Sequence, residues 1–289
     1  DFSMKSITRT VYGSYLNNAI ITGLPFQVIP NTTLNEKLGI NRDLTLSLPR
    51  NTYPQLKYFC IGIGGHQVQL SNNIPTIIPV QHHSTDASPF KMMPFILREM
   101  DNDISPALRK SYALRRIEDI NGTSFIAYYL RRLDFSKAKV EMNLITVEKD
   151  GTKTTKPFVP NASNLNPTPQ TITNTGVNVL DAKYIEVSNM IEMVFTPEEA
   201  EEYRHVANVI YNDENLAIIS EIGLVSGVEK TVNVNMPGQG NIIVDEVLAA
   251  QMTNVFNTFR SCVIDNLGFT IKIKIGSNLP LWLTRPSNP

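Results

Sequence analysis

The chain has 289 residues, enough for one large domain or two ordinary ones, and 42% of them are hydrophobic and 18% charged. Its formal net charge of −1 excludes an overall field that would draw it to nucleic acid or to an anionic membrane surface. No apolar run reaches the roughly 18 residues of a transmembrane helix, and the first residues contain no apolar signal core.

In chain order, the first predicted element is a helix over Ile7–Ile21, where apolar residues recur at helical spacing. A loop rich in Asn, Thr and Pro follows. The segment Lys57–Leu70 then predicts a strand, a glycine turn and a second strand. Glycines occur at 62, 64 and 65. A dinucleotide-binding fingerprint would also need a third glycine at its specific spacing and a helix directly after it, and the sequence shows neither. The three glycines therefore favour a strained turn or a close approach of the backbone over a phosphate-binding loop.

Four residues suggest a metal site, because imidazole and carboxylate groups are ligands of zinc and of non-haem metals. They are His66, His82, His83 and Asp86. Adjacent histidines on an extended chain point to opposite faces, so His82 and His83 cannot easily bind one ion. A metal site is for this reason not the favoured interpretation, and no cofactor is predicted. A metal-dependent hydrolase that uses these four residues stays as the alternative from another functional class.

The segment that follows is irregular and contains Met92, Met93 and Phe95 between prolines. Exposed Met and Phe side chains suit a partner surface, because Met adapts to irregular gaps. A loop folded over the core explains the same residues equally well. Both interpretations stay open at this level, and the three residues are candidate intersubunit anchors.

The densest basic cluster comes next, after a short helix predicted within Pro106–Arg116. Acidic neighbours dilute it and no glycine-rich or aromatic platform accompanies it, so a solvated or intersubunit face is favoured over a track for phosphates. Its members are Arg109, Lys110, Arg115, Arg116, Arg131 and Arg132.

The strand signal is clearest over Thr123–Val159, where a hairpin turn is centred on Asp150-Gly151. Beyond it, Pro157–Thr175 is rich in Pro, Asn and Thr and has little apolar content. We interpret the region around 137–176 as a projecting hairpin or arm that can lie across a neighbouring subunit. Leu165 and Ile172 are its candidate anchors.

The best local signature opens a helix after a strand over Lys183–Phe195. Thr196 is the predicted N-cap, Pro197 takes the first helical position, and Glu199 completes a capping box. The helix is expected to end near Tyr211, and its acidic start is a capping device rather than a catalytic cluster.

An apolar run over Leu216–Val225, interrupted by a serine and a glutamate, predicts a strand covered on both faces. Apolar residues at helical intervals over Val244–Val263 then predict the longest helix, and alternation over Phe269–Ile275 predicts an amphipathic strand. The last residues, 277–289, form a predicted C-terminal extension. Its candidate anchors are Leu281, Trp282 and Leu283.

Together these elements predict an α+β protein. It has a mixed or antiparallel β-sheet or sandwich core, two to three helices and long extended loops. The domain prediction is one β-rich structural domain over residues 1–289. The two cysteines, Cys60 and Cys262, lie far apart in apolar surroundings and are expected to be buried free thiols. No catalytic motif occurs at usable spacing, so an enzyme is not predicted.

Two short segments resemble segments of known proteins. They are SEIGL at Ser220–Leu224 and YFCIGIGGH at Tyr58–His66. In these two segments and in its composition, which is rich in Asn, Thr and Pro, the chain resembles virion structural proteins of large tailed bacteriophages. The resemblance implies a non-enzymatic subunit of a ring in the neck or head-to-tail connector, or of the baseplate or tail. It implies a homo-oligomer that contacts other virion proteins and is assembled in the host cytoplasm. Membrane binding and direct sequence-specific nucleic-acid binding are not expected.

Overall fold

The structure is a computed structural model that describes residues 7–40, 48, 52–71, 73–148, 150–166, 182–236 and 240–281. Within these ranges the chain forms fourteen β-strands, four α-helices and one 3-10 turn at Glu214–Leu216. The helices are α1 (Val11–Thr22), α2 (Thr33–Lys37), α3 (Pro106–Arg109) and α4 (Pro197–Tyr211). The strands are β1 (Ile7–Arg9), β2 (Gln55–Gly62), β3 (His66–Ser71), β4 (Ile74–Pro79), β5 (Met92–Met93), β6 (Ile96–Glu99), β7 (Tyr112–Ile120), β8 (Thr123–Arg132), β9 (Val140–Val147), β10 (Lys153–Pro157), β11 (Ala182–Phe195), β12 (Ile218–Met236), β13 (Gly240–Ser261) and β14 (Phe269–Pro280).

The strands form several antiparallel sheets, which confirms the predicted α+β class and shifts its balance further towards β than the sequence indicated. The chain divides into two compact units. The first comprises residues 1–133 and 194–270, and the second comprises residues 134–193 and 271–289. Within the described ranges, no helix is both long and apolar enough to cross a membrane.

The first unit contains an eight-stranded sheet with the order β1-β13-β12-β2-β8-β6, in which β5 also pairs with β2 and β7 with β8. Strand β12 lies inside it, between β13 and β2. Ile219, Ile222 and Leu224 of this strand are fully buried. The predicted strand covered on both faces is therefore confirmed. Cys60 and Cys262 are buried and not bonded to each other, as predicted.

Helix α4 begins and ends where the sequence predicts. The Thr196 hydroxyl accepts a hydrogen bond from the backbone N–H of Glu199, whose carboxylate in turn accepts from the backbone N–H of Thr196. Pro197 occupies the first turn, and Asn212 ends the helix in the left-handed conformation with φ of 55°. This reciprocal cap satisfies two backbone donors that a helix start otherwise leaves unpaired.

The predicted helix over Val244–Val263 is wrong, because this segment lies in strand β13. The ladder between β12 and β13 shifts register at three places, and at each place β13 contains one more residue than β12. Each bulge inverts the alternation of inward and outward side chains. Apolar residues on a strand bulged in this way recur at intervals of three and four, which imitates the spacing of a helix.

Two other helix predictions are too long. Residues Ile7–Arg9 form β1, which pairs with β13, and α1 begins only after Thr10, whose hydroxyl accepts from the N–H of Gly13. The predicted helix within Pro106–Arg116 ends at Arg109, and β7 follows. In both places tertiary pairing with a neighbouring strand replaces the local preference for helix.

The second unit is built on a four-stranded sheet with the order β10-β9-β11-β14. Strands β9 and β10 form the predicted hairpin, and Gly151 in its turn has φ of 84°. The predicted arm around 137–176 therefore begins as two strands of this sheet. Its residues 167–176 lie outside the described ranges, as do 282–289 of the predicted extension 277–289. Residues 277–280 are the end of β14, not part of an extension.

Candidate functional site

A fully buried carboxylate, Glu221, lies near the start of β12. Its Oε1 accepts hydrogen bonds from the backbone N–H of Phe90 at 2.7 Å and from His82 Nε2 at 2.8 Å. Its Oε2 accepts from the backbone N–H of Gly64 at 2.7 Å and of Lys91 at 3.3 Å. Four donors around one carboxylate offset the free energy of removing its charge from water.

The imidazole of His82 connects this carboxylate to a second one. Its Nδ1 lies 2.9 Å from Asp86 Oδ2, and the same oxygen accepts from the backbone N–H of His83 at 2.9 Å. The Phe90 ring stacks on the imidazole with centroids 4.0 Å apart and planes 5° apart. Both ring nitrogens of His82 therefore lie within hydrogen-bond distance of a carboxylate oxygen. We refer to Asp86, His82 and Glu221 as the buried network.

Three glycines let the backbone come close to this network. A Cβ at Gly62 would lie 2.5 Å from Glu221 Oε2, and one at Gly65 would lie 2.6 Å from Glu221 Cγ and would overlap the carbonyl oxygen of Ser220. The N–H of Gly65 donates to Ser220 Oγ at 3.0 Å. Of the two interpretations of these glycines, the close approach of the backbone is confirmed. The glycines lie against the backbone of Ser220 and the side chain of Glu221. The two segments on which the resemblance rests, Tyr58–His66 and Ser220–Leu224, are therefore in contact with each other.

The buried network has the contacts of a structural element. The two ring nitrogens of His82 lie 2.9 Å from Asp86 Oδ2 and 2.8 Å from Glu221 Oε1, so each has a protein group as its partner. Of the four predicted ligands, His82 and Asp86 share a side-chain contact, whereas the ring of His66 packs edge-on against Phe259 with centroids 5.1 Å apart. Burial lowers the pKa of His66. Among the described residues, no group of three His, Cys, Asp or Glu side chains is arranged to bind a metal ion.

Sequence reasoning missed Glu221 as the centre of this site. Its signal was the interruption of an apolar run, Leu216–Val225, by a charged residue. A charge inside a buried strand needs specific partners. The partners come from residues 64, 82, 90 and 91, which are more than 120 positions away. No local pattern links them.

The basic cluster is paired with carboxylates inside the first unit, rather than presented as a solvated face. Five of its arginines contact acidic side chains. The pairs are Arg109 and Arg115 with Asp103, Arg116 with Glu246, Arg131 with Glu199, and Arg132 with Glu229. A guanidinium held in this way has few donors left for phosphates.

One exposed apolar feature of the first unit is the hairpin formed by β3 and β4, a two-stranded sheet of its own. Between His66 and Pro79 the sequence contains no Asp, Glu, Lys or Arg. Its large aliphatic side chains are 36% to 68% exposed. They are Val68, Leu70, Ile74, Ile77 and Ile78. An isolated two-stranded hairpin is marginally stable in water at best, so an apolar one indicates a contact surface.

The candidate anchors fall into three groups. Met93 and Phe95 are buried, and the Phe95 ring packs edge-on against Phe59 at 5.3 Å, so these two residues belong to the core as the alternative interpretation had it. Met92 is partly buried, whereas Leu165 and Leu281 are exposed. The remaining anchors lie outside the described residues. They are Ile172, Trp282 and Leu283.

Comparison with known proteins gives one match. A family model described as "Family of unknown function (DUF7208)" matches residues 1–288. No curated protein matches the chain, and no solved structure matches it.

Proposed function

The chain belongs to the family of unknown function DUF7208, and from its own residues we propose that it is a non-enzymatic structural subunit of a tailed-phage virion. The position we propose is a ring in the neck or head-to-tail connector. The specific support for a virion is the resemblance carried by Ser220–Leu224 and Tyr58–His66. A β-sandwich core is part of the same proposal.

The assembly role is inferred mainly from the exposed apolar side chains of the β3–β4 hairpin. Monomeric proteins seldom expose contiguous apolar surface on an element that has no packing layer of its own. The second unit also exposes Val140 and Met142 of β9 and Leu281 after β14. A protein that functions inside an assembly can leave such side chains exposed in the single subunit, because neighbouring subunits cover them.

The buried network supports a non-enzymatic role. The side chains of His82 and Glu221 are fully buried, and their contacts are with residues of their own unit. A general acid or base must come within hydrogen-bond reach of its substrate. A carboxylate that receives four internal donors is held in place and connects four chain segments.

The assembly role is tested with purified protein, alone and mixed with neighbouring virion proteins. Light scattering coupled to size-exclusion chromatography, with negative-stain electron microscopy, is expected to show rings. A chain that stays monomeric in every mixture contradicts the proposal. Two equally exposed residues give a matched pair of variants, because Leu70 and Ile243 are each 68% exposed. Leu70→Lys is expected to weaken assembly, and Ile243→Lys is expected to leave it unchanged.

A baseplate or tail position in the same virion is the close alternative. Both positions require self-association and contacts with other virion proteins, and both follow assembly in the host cytoplasm. A density map of the virion separates them, since the ring in which the chain is found decides between neck and baseplate.

A metal-dependent hydrolase using His66, His82, His83 and Asp86 is the second candidate. The observation that favours it is the 2.9 Å contact between two of these residues, His82 and Asp86. Elemental analysis of protein purified without chelators tests it. Stoichiometric zinc, iron or manganese, together with lower stability in EDTA, would support it. Trace metal and unchanged stability would remove it.

A further inference from the structure

The two edges of the β3–β4 hairpin differ in their hydrogen-bonding capacity. The N–H of Val80 donates to the carbonyl of Gly65 at 3.0 Å, just before the first pair of the ladder, His66 with Pro79. Hydrogen-bonded and non-hydrogen-bonded pairs alternate along an antiparallel ladder. Gln67 and Gln69 are therefore bonded to β4, while Val68 and Leu70 point their N–H and C=O groups away from it.

On β4 the same alternation places residues 75, 77 and 79 at the outer edge. Two of them, Pro75 and Pro79, have no N–H, so Ile77 is the one donor left along this edge. Proline on an edge strand prevents another strand from pairing there. The β4 edge is therefore blocked and the β3 edge is open.

The open edge also has an apolar face beside it. Val68 lies opposite Ile77, and Leu70 lies opposite Pro75, in pairs that are not hydrogen-bonded and whose side chains share one face of the hairpin. The described residues pair β3 with no strand other than β4. A strand added to β3 would gain main-chain hydrogen bonds and would extend this apolar face.

We propose that the β3 edge pairs with the β3 edge of a second copy of this chain, antiparallel, with Val68 of each copy opposite Leu70 of the other. The inference rests on the proposed function in so far as the chain assembles with itself. The occupant is a second copy because the open positions are self-complementary under a two-fold axis and neither strand carries a charge that would repel its twin. Pairing produces the strand order β4-β3-β3-β4. The prolines then lie on both outer edges and end the sheet at four strands.

The test compares two proline substitutions at one cross-strand pair. Val68→Pro removes an outward N–H from the open edge, and Ile77→Pro removes one from the blocked edge. Neither removes a hydrogen bond between β3 and β4. Because the interface is symmetric, each substitution acts twice. We expect Val68→Pro to raise the dissociation constant by at least about tenfold and Ile77→Pro to change it less than about twofold.

Sedimentation velocity over a concentration series measures both constants, and thermal unfolding checks that each variant retains its fold. If Val68→Pro unfolds the protein, Leu70→Pro removes the neighbouring outward N–H and carries the same expectation. Equal weakening by both prolines overturns edge pairing in favour of contact through the apolar face.

The remaining outcomes separate this inference from the proposed function. Self-association that neither substitution alters overturns the inference and leaves the ring proposal standing. A wild-type chain that is monomeric alone but binds another virion protein through an edge sensitive to Val68→Pro shows that the occupant is that protein. A chain that is monomeric in every mixture overturns both proposals.

Discussion

Replacing Glu221 by glutamine tests whether the buried network stabilises the first unit. Glutamine keeps the size of the side chain but replaces one carboxylate oxygen by an amide NH2. Each carboxylate oxygen accepts from two donors, Phe90 and His82 on one side and Gly64 and Lys91 on the other. With the amide NH2 at the Oε2 position, the N–H groups of Gly64 and Lys91 face another donor. With the NH2 at the Oε1 position, the N–H of Phe90 faces another donor, whereas His82 Nε2 can accept from the amide.

The size of the effect follows from the less costly orientation, which leaves one buried donor, the N–H of Phe90, unpaired. A buried hydrogen-bonding group left unpaired costs about 1–3 kcal/mol, so the substitution is expected to lower the free energy of unfolding by at least about 1–3 kcal/mol. The matched control is Glu202→Gln, because Glu202 is partly exposed and contacts Arg98. A partly exposed ion pair contributes about 1 kcal/mol or less.

Urea unfolding followed by far-UV circular dichroism measures both variants. The midpoint is expected to fall strongly for Glu221→Gln while the slope of the transition stays constant, which identifies a change in stability rather than in the surface exposed on unfolding. Equal losses in Glu221→Gln and Glu202→Gln would refute the reasoning, because the four donors would then contribute nothing beyond an ordinary surface contact.

Three further predictions concern reactivity, pH and assembly. Burial raises the pKa of Cys60 and of Cys262 to about 12, so Ellman's reagent at pH 8 is expected to react with these thiols only after denaturation; reaction in the native protein would contradict this. The hydrogen bond from Lys274 holds the pKa of Glu186 below its usual value, so Glu186 stabilises the fold above its unfolded pKa and loses this contribution as the pH falls through its folded pKa. The stability difference between wild type and Glu186→Gln, measured by thermal unfolding, should therefore diminish as the pH falls below the ordinary pKa of a glutamate, about 4.3, and a constant difference would argue against the pair. Trp282→Ala is expected to weaken assembly by about 2 kcal/mol in light scattering, and unchanged assembly would remove this residue as an anchor.

The accuracy of the sequence predictions depended on how local the determining interactions are. The start and end of α4 were predictable because Thr196, Pro197 and Glu199 act within one turn. The hairpin at Gly151 was predictable for the same reason. Strand β13 was not, because its period is reset by bulges that arise from pairing with β12. The partners of Glu221 were not predictable either, because they are brought together only by the folded sheet.

The β3–β4 hairpin begins next to the buried network, and hydrogen bonds from neighbouring residues hold the base of the hairpin. The N–H of Gly65 donates to Ser220 Oγ, and the side-chain amide of Asn257 donates to the carbonyls of Gly65 at 2.8 Å and of Val80 at 2.6 Å. Gly65 and Val80 are also the last hydrogen-bonded pair before the hairpin begins. Ser220 and Asn257 thus hold the two points from which the exposed strands leave. A hairpin held at both strands loses less conformational entropy when a partner binds it. In the assembly that we propose, these contacts would hold the apolar β3 edge in position for a partner strand.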